Sequence, residues 1–259
     1  MIAPDDLVDV TRQGRTAVIR LNRPDARNAI NVALAKALDA RMAEIEDDDQ
    51  IWAAVLTHEG PAFSAGADLR DVAAGRVNEL SFPESGFAGI CERTRTKPLL
   101  AAVDGAALAG GFEICLACDL LVATARSRFG LPEVKRSLVA GAGGLVRVPR
   151  ALPRNLAMEL ALTGEPIDAV RAYHFGLVNR IAPDGEALEV ALALAETINA
   201  NAPLAVRASR SLVRDVADTT EREGFAASQR ALSALASTVD FGEGPRAFVE
   251  KRPPQWQGR

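Results

Sequence analysis

The stretch "AALAGGFEICLACDL" at residues 106–120 carries a carboxylic acid inside an otherwise apolar element. Its Ala, Leu, Ile, Cys and Phe side chains are typical of a buried core, yet Glu113 stands among them. Removing a carboxylate from water costs several kcal/mol unless the group is paired, hydrogen-bonded or protonated. Two explanations are open: Glu113 is a core acid satisfied by backbone donors, or it performs chemistry.

A second glutamate occurs in a comparable setting further along the chain. Glu133 follows Gly130-Leu131-Pro132 and precedes a glycine-rich bend at residues 141–144. Two carboxyl groups in an apolar site acquire raised pKa values, because burial disfavours their charge and each carboxylate opposes ionisation of the other. The pair therefore suggests acid–base catalysis near neutral pH. The structural alternative for Glu133 is the first turn of a helix, where its charge favours the helix dipole.

Two loops of small residues, "FSAGADL" (63–69) and "LAGGFE" (108–113), each lead into a predicted helix. A helix start exposes unpaired backbone N–H groups, and Gly and Ala allow a ligand oxygen to approach them closely. One N–H from each loop would form an oxyanion hole for a developing negative oxygen. For either loop alone, a tight turn is the favoured explanation.

The composition of the whole chain limits the classes of function that fit. It has 259 residues, 48% of them hydrophobic and 25% charged, with a net charge of −4. This acidic balance argues against nucleic-acid or anionic membrane partners. The N-terminus lacks a signal-peptide pattern, and the longest apolar region, residues 99–125, is interrupted by three acidic residues. We expect a cytoplasmic protein with no membrane association.

Sequence motifs of several enzyme classes are missing from the chain. There is no HExxH, GxSxG, GxGxxG or P-loop, and there are only two histidines. Cys115 and Cys118 form a CxxC without a second pair or a nearby His, so we interpret them as buried structural residues. We expect neither a metal site nor a redox cofactor.

Alternating strand and helix patterns predict an α/β core, followed by a helical tail. The pattern predicts a hairpin around Gly14, a helix over residues 31–47 and a strand within 51–60, whereas 73–95 reads as irregular or short-helical. We divide the chain into an α/β core with the active site (1–195) and a C-terminal helical subdomain for oligomerisation (196–259).

Five stretches carry a resemblance to a known family, namely "AFSAGADL" (62–69), "AAVDGAALAGGFEICLACDLLVA" (101–123), "FGLPEVKRSLVAGAGG" (129–144), "GLVNRI" (176–181) and "FVEKRPPQW" (248–256). In this order they resemble the motifs of the enoyl-CoA hydratase/isomerase, or crotonase, superfamily. The resemblance implies a spiral of ββα units with a C-terminal helical trimerisation subdomain. It also implies a homotrimer, commonly paired into a hexamer, and an acyl-CoA thioester substrate. Coenzyme A is then part of the substrate, and no cofactor is needed.

The resemblance assigns roles to individual residues. The backbone N–H groups of Ala67 and Gly110 are expected to hold the thioester oxygen, and Glu113 and Glu133 match the catalytic pair of the hydratase branch. Phe82 and Phe87 are the bulky candidates for the wall of the acyl pocket. Seven further residues are expected near CoA, the last two often across a subunit boundary: Ala26, Arg27, Asp68, Leu69, Arg70, Phe248 and Lys251.

Other activities remain open at the level of sequence. Within the superfamily, the same motifs fit enoyl-CoA isomerisation or a carnitinyl-CoA dehydratase-like reaction. Some relatives bind RNA, and the basic stretch "VRASRSLVR" (206–214) is the only segment here that would suit it. A catalytically silent scaffold is the third alternative. Having both carboxylates favours the addition of water to a 2,3-double bond.

Overall fold

Strand pairs that are consecutive in the chain contribute one strand to each of two β-sheets, as the pairs Ala53–His58 with Ala62–Ser64 and Leu99–Val103 with Ala106–Leu108 show. The computed structural model describes residues 7–216 and 219–259. Its larger sheet has the order β1-β2-β3-β7-β9-β12, and all neighbours except β1 and β2 are parallel. In chain order these strands are Val8–Gln13, Thr16–Leu21, Ala53–His58, Leu99–Val103, Leu120–Thr124 and Arg180–Ala182.

The smaller sheet has the order β11-β10-β8-β4, in which β4, β8 and β10 are parallel. Each of these three strands directly follows a strand of the larger sheet, so every pass of the chain adds one strand to both sheets. The spiral of ββα units that the resemblance implies is confirmed. The strands are β4 (Ala62–Ser64), β8 (Ala106–Leu108), β10 (Arg128–Gly130) and β11 (Ile167–Asp168), and a separate ribbon pairs β5 (Ser81–Phe82) with β6 (Gly86–Phe87).

Helices follow the strand pairs and then make up the C-terminal region. The predicted helix at 31–47 is present as Val32–Asp47, and the side chain of Asn31 caps it by accepting a hydrogen bond from Leu34 N at 2.9 Å. Short 3-10 turns occupy Pro24–Ala26, Val77–Leu80 and Pro132–Arg136. The α-helices are α1 (Val32–Asp47), α2 (Leu69–Ala73), α3 (Gly110–Ala117), α4 (Gly144–Ala151), α5 (Arg154–Thr163), α6 (Ala169–His174), α7 (Ala187–Asn199), α8 (Pro203–Asp215), α9 (Glu221–Leu235) and α10 (Val239–Glu250).

Two apolar clusters hold these layers together. The larger one includes the fully buried rings of Phe63, Phe112 and Phe129, which come from β4, α3 and β10. The second forms where α7 lies on the larger sheet, because Ala187, Ala191 and Ala195 share one helix face. The boundary that we expect at residue 195 falls inside α7. Within the described residues, no helix is long and apolar enough to cross a membrane.

Asp119 joins the C-terminal helices to the core. Its Oδ2 accepts hydrogen bonds from Arg95 Nη1 at 3.1 Å, from Arg210 Nε of α8 at 2.8 Å and from the Leu99 N–H at 2.8 Å. Burial by itself raises the pKa of Asp119, but the two guanidinium groups and the N–H donor outweigh it, so that pKa lies below its usual value. The charged network therefore stabilises the fold at neutral pH, and this contribution is lost as the pH falls through the lowered pKa.

We predict that Asp119→Asn lowers the free energy of unfolding at pH 7 by about 2 to 4 kcal/mol, because Arg95 loses its anion in a buried site. Urea denaturation at one fixed protein concentration measures the change. Asp215→Asn is the matched control: it removes an exposed partner of Arg214 and should cost less than about 1 kcal/mol. Equal losses in the two variants would contradict the prediction.

Candidate active site

A cavity of about 540 Å³ opens beside α3 and the 3-10 turn at Pro132–Arg136. Its lining includes both glutamates and both backbone donors that the sequence singles out, and its other walls are mainly apolar. Ala67, the pair Gly110 and Glu113 of α3, and Glu133 come from three separate segments of the chain. The fold thus brings them to one cavity of a size suited to a small-molecule ligand.

Glu113 lies in the first turn of α3 and is 3% exposed. Its Oε1 accepts hydrogen bonds from Ala142 N at 2.7 Å and from Gly144 N at 2.8 Å. Burial raises the pKa of Glu113, and the two N–H donors and the positive charge of Arg147 only partly oppose this effect. The first explanation from the sequence is confirmed, because backbone donors satisfy one oxygen of the acid. The carboxyl group also lines the cavity, and its part in chemistry stays a prediction.

The donors of Glu113 come from the start of a helix that glycine makes possible. Helix α4 begins at Gly144, and Gly143 before it has φ 103°, a conformation that favours glycine. A Cβ on Gly144 would lie 3.0 Å from the Glu113 Oε1. The carboxylate therefore caps the positive end of α4 and satisfies N–H groups that have no partner inside that helix.

Glu133 faces the same cavity from the first turn of its 3-10 helix. Burial, together with the negative charge of Glu113, raises the pKa of Glu133 to about 7, while its own backbone N–H and Arg136 act in the opposite direction. Its Oε2 is buried and has no hydrogen-bond partner among the described residues. Buried carboxyl oxygens are normally paired, so this atom is suited to bind a water molecule or a substrate hydroxyl.

Ala67 forms a parallel β-bridge with Ile30, and its N–H points away from that bridge. Ile30 N donates to Gly66 O at 2.7 Å, and Asp68 N donates to Ile30 O at 2.8 Å. In such a parallel bridge the flanking residues make both hydrogen bonds, and the N–H of the central residue lies on the opposite side. No acceptor for the Ala67 N–H is found within residues 7–216 and 219–259.

The second donor, Gly110, is the first residue of α3, so its N–H has no acceptor inside the helix. Ala109 before it has φ 51° and ψ −130°, a strained turn that sets the direction of this N–H. The two donor segments touch, because a Cβ on Gly66 would lie 2.7 Å from Gly110 N. Two adjacent N–H groups on one cavity have the arrangement that an oxyanion hole requires, and this assignment stays a prediction.

The remaining site residues expected from the resemblance fall into two groups. Arg27, Leu69 and Phe87 line the cavity. The others lie outside its lining, and their assignment stays a prediction. Phe82 packs half-buried against the core, Ala26 ends a 3-10 turn, Asp68 caps α2 and pairs with Arg23 at 2.8 Å, and Arg70, Phe248 and Lys251 are exposed.

Two charged residues of the cavity lining escaped the sequence analysis, namely Glu92 and Arg136. Arg136 is three residues after Glu133, and side chains at this spacing lie above one another in a 3-10 helix. That spacing could have identified it. Glu92 follows the short ribbon β5–β6 in a segment without periodicity, so no pattern in the sequence points to the cavity.

The cysteines take no part in the cavity lining. Cys91, Cys115 and Cys118 are free, and burial raises the pKa of each thiol well above its usual value, so the thiols are poor nucleophiles. In the described ranges, 7–216 and 219–259, no cluster of three or more His, Cys, Asp or Glu side chains could hold a metal ion.

Comparison with known proteins settles the family. A family profile described as enoyl-CoA hydratase/isomerase matches residues 11–259. The chain belongs to the enoyl-CoA hydratase/isomerase family. A crystal structure of an enoyl-CoA hydratase from Mycobacterium tuberculosis H37Rv has a TM-score of 0.94 and 44% identity, over 98% of this chain and 99% of the other. The crotonase fold implied by the sequence motifs is confirmed.

Two curated relatives of this hydratase/isomerase family member carry different names. The enoyl-CoA hydratase EchA19 of Mycobacterium tuberculosis is 39% identical, over 99% of this chain and 97% of its own length. The carnitinyl-CoA dehydratase of Salmonella arizonae is 37% identical, over 96% of this chain and 97% of its own. Both are hydro-lyases by name.

We predict that one glutamate titrates with a pKa of about 7 and that Glu133→Gln abolishes this titration. Carboxyl-labelled glutamate observed by ¹³C NMR measures it, with Glu44→Gln on α1 as an exposed control. A raised pKa in the folded state also makes the protein less stable as the pH rises from 4.5 to about 7, and Glu133→Gln should reduce this slope in urea denaturation. An unchanged titration in Glu133→Gln would contradict the assignment.

Proposed function

We propose that this chain is an enoyl-CoA hydratase, a hydro-lyase that reversibly adds water to a 2-trans-enoyl-CoA in the syn sense to give a 3-hydroxyacyl-CoA. The observation that carries the proposal is the position of two carboxyl groups, Glu113 and Glu133, on one cavity beside two unpaired backbone N–H groups. Fatty-acid degradation or a related acyl-CoA pathway would use this reaction.

The thioester carbonyl oxygen binds between the N–H groups of Ala67 and Gly110. When water adds to C3, electrons move from the C2–C3 double bond towards this oxygen, which becomes enolate-like. The two donors are pre-oriented by the close contact of Gly66 with Gly110, so they stabilise the charge without rearrangement. Their hydrogen bonds are stronger in the transition state than in the bound substrate.

Glu113 and Glu133 hold one water molecule between them. Glu113 acts as the base: two N–H groups and the nearby Arg147 partly offset the burial that raises its pKa, and its carboxylate takes a proton from the water as the oxygen bonds to C3. Glu133, with a pKa of about 7, starts protonated and delivers its proton to C2. Transfer of the proton from Glu113 back to Glu133 restores the pair. Both groups act from one face of the chain, so the addition is syn.

The CoA part of the substrate extends along the surface beyond the cavity. Arg27 and Leu69 lie at the cavity and border the path of the pantetheine, followed by Ala26, Asp68 and Arg70. The exposed Lys251 provides a cation for a CoA phosphate, with Phe248 beside it. No separate cofactor enters the reaction.

Assembly into a homotrimer, or into a hexamer of two trimers, accounts for the apolar surface of the C-terminal helices. Phe225, Leu232, Phe241 and Phe248 are large side chains on α9 and α10 that are 47% to 85% exposed. Apolar side chains in such number on one subdomain favour contact with another subunit. Residues 196–259 are thus proposed as the oligomerisation subdomain of a cytoplasmic enzyme.

The second candidate is a carnitinyl-CoA dehydratase-like reaction, favoured by the relative of that name. The same pair of glutamates would then remove water from a 3-hydroxyacyl-CoA, with their roles reversed. Enoyl-CoA isomerisation needs only one carboxyl group, so it would give Glu133 no catalytic role. Incubation in H₂¹⁸O followed by product analysis distinguishes the three activities. Hydration of crotonyl-CoA gives ¹⁸O-labelled 3-hydroxybutyryl-CoA, dehydration of carnitinyl-CoA gives its 2-enoyl-CoA, and isomerisation converts 3-enoyl-CoA to 2-enoyl-CoA without label.

We predict that Glu113→Gln and Glu133→Gln each lower kcat for crotonyl-CoA hydration by about 10²- to 10⁴-fold, since each removes one proton-transfer group. Loss of the ultraviolet absorbance of the enoyl thioester measures the rate. Glu44→Gln, which changes an exposed glutamate of α1, should retain full activity. Wild-type protein that hydrates no enoyl-CoA of any chain length would refute the proposed function.

We further predict that Gly66→Ala lowers kcat by about 10²- to 10³-fold, the effect of losing one oxyanion donor. The added Cβ would lie 2.7 Å from Gly110 N, and φ +85° is unfavourable for alanine. Gly75→Ala is a matched control, because Gly75 also has positive φ but nothing within 4 Å of the added Cβ. Similar kcat values for both variants would argue against the assigned donors.

A further inference from the structure

We propose that Arg147 is the positioning residue of the base: its guanidinium clamps the segment Gly141–Gly144, here called the donor loop, so that two backbone N–H groups meet the Glu113 carboxylate. The inference rests on the proposed hydratase activity, in which Glu113 accepts the proton of water. Arg147 lies on α4, outside the lining of the cavity, and among the described residues it acts on Glu113 through its charge and not through a direct hydrogen bond.

Arg147 and Glu113 bind opposite ends of one residue of the donor loop, Ala142. Arg147 Nη1 donates to Ala142 O at 3.2 Å, while Ala142 N donates to Glu113 Oε1 at 2.7 Å. The guanidinium also lies directly against Gly143, where a Cβ would be 2.1 Å from Nη1. The loop is therefore enclosed between the cation and the carboxylate.

The other end of the guanidinium is fixed to Cys91, which lies behind the cavity wall and is hydrogen-bonded to the lining residue Phe87. Arg147 Nη2 donates to Cys91 O at 2.5 Å. The N–H of Cys91 in turn donates to Phe87 O at 3.2 Å, and the ring of Phe87 contacts Gly110, where a Cβ would lie 2.6 Å from the ring. The Arg147 side chain thus connects the donor loop, through Cys91 and Phe87, to the neighbourhood of Gly110.

The geometry of arginine suits this connection. A planar guanidinium can donate to two carbonyl groups in fixed directions, whereas a lysine ammonium concentrates its charge at one point on a flexible chain. Arg147→Lys therefore keeps a positive charge near Glu113 but does not reproduce the bridge between Ala142 O and Cys91 O. The positive charge of the residue and its ability to donate to two carbonyl groups can therefore be separated by experiment.

Three ionisable groups face Glu113 from the surrounding elements. Arg147 of α4 favours its ionised form, whereas Glu133 of the 3-10 turn opposes it, and the Cys91 thiol stays protonated because burial raises its pKa. Removing Arg147 takes away a cation and loosens two N–H donors, and both changes favour protonated Glu113. The pKa of Glu113 should rise, so the acid limb of the rate profile should move to higher pH.

The test compares Arg147→Met and Arg147→Lys with wild type over a range of pH, using crotonyl-CoA. For Arg147→Met we expect kcat to fall by about 10- to 100-fold, as for other supporting groups, with KM little changed. The acid limb of its pH–rate profile should move to higher pH. In Arg147→Lys the acid limb should move less, although kcat should still fall. Hydrogen–deuterium exchange of the peptide covering residues 138–146 should become faster in both variants.

Arg93→Met is the matched control. Arg93 is also half-buried. It donates to a carbonyl close to Cys91 in the chain, Gly89 O at 2.7 Å, but it does not contact the donor loop. This variant should leave the acid limb and the exchange of residues 138–146 as in wild type. An equal change in Arg93→Met would assign the effect to general loosening of the wall and overturn the proposal.

Two further outcomes also overturn it. One is a folded Arg147→Met protein with the wild-type pH profile; the other is unchanged exchange at residues 138–146. Inactive wild-type protein would refute the hydratase function instead, and the exchange measurement would still decide whether Arg147 holds the loop. If Arg147→Met does not fold, Arg147→Lys provides the same two readings.

Discussion

The hydrogen bonds from Ala142 N and Gly144 N to the Glu113 carboxylate are the constraint on which the rest of the site depends. They join α3 to the start of α4, two helices from different turns of the spiral. The contact satisfies both sides, because a buried anion needs hydrogen-bond donors and the first turn of a helix has N–H groups without acceptors inside the helix. The contact fixes the orientation of the Glu113 carboxylate at the cavity.

Different surroundings act on the two glutamates. Burial raises the pKa of both, but Glu113 receives two backbone hydrogen bonds and lies near a cation, whereas the Glu133 Oε2 is buried with no described partner. The pKa of Glu133 rises to about 7, while the rise at Glu113 is partly opposed by its N–H donors and by Arg147. These surroundings support the proposed roles of Glu113 as base and Glu133 as acid.

Glycines bring the backbone donors close enough to act together. A Cβ on Gly66, Gly110 or Gly111 would lie within 2.7 Å of a neighbouring atom, so each position excludes a larger residue. The small residues that the sequence analysis associated with tight turns serve a second purpose here. They let β4, β8 and α3 approach until the N–H groups of two separate loops face one cavity.

The sequence by itself determined the hairpin, α1 and both glutamates, because periodicity and acids in apolar runs are local signals. The ββα order followed from the resemblance of its motifs to a known family. The sequence analysis missed α4, whose glycine-rich start and Pro149 are typical of a turn, and it did not find Glu92, Arg136 or the bridge made by Arg147. Only the tertiary structure decided which residues meet in the cavity, which oxygens have partners and which carboxyl stays protonated. These properties depend on contacts between segments far apart in the chain and on burial, neither of which is encoded in any short stretch.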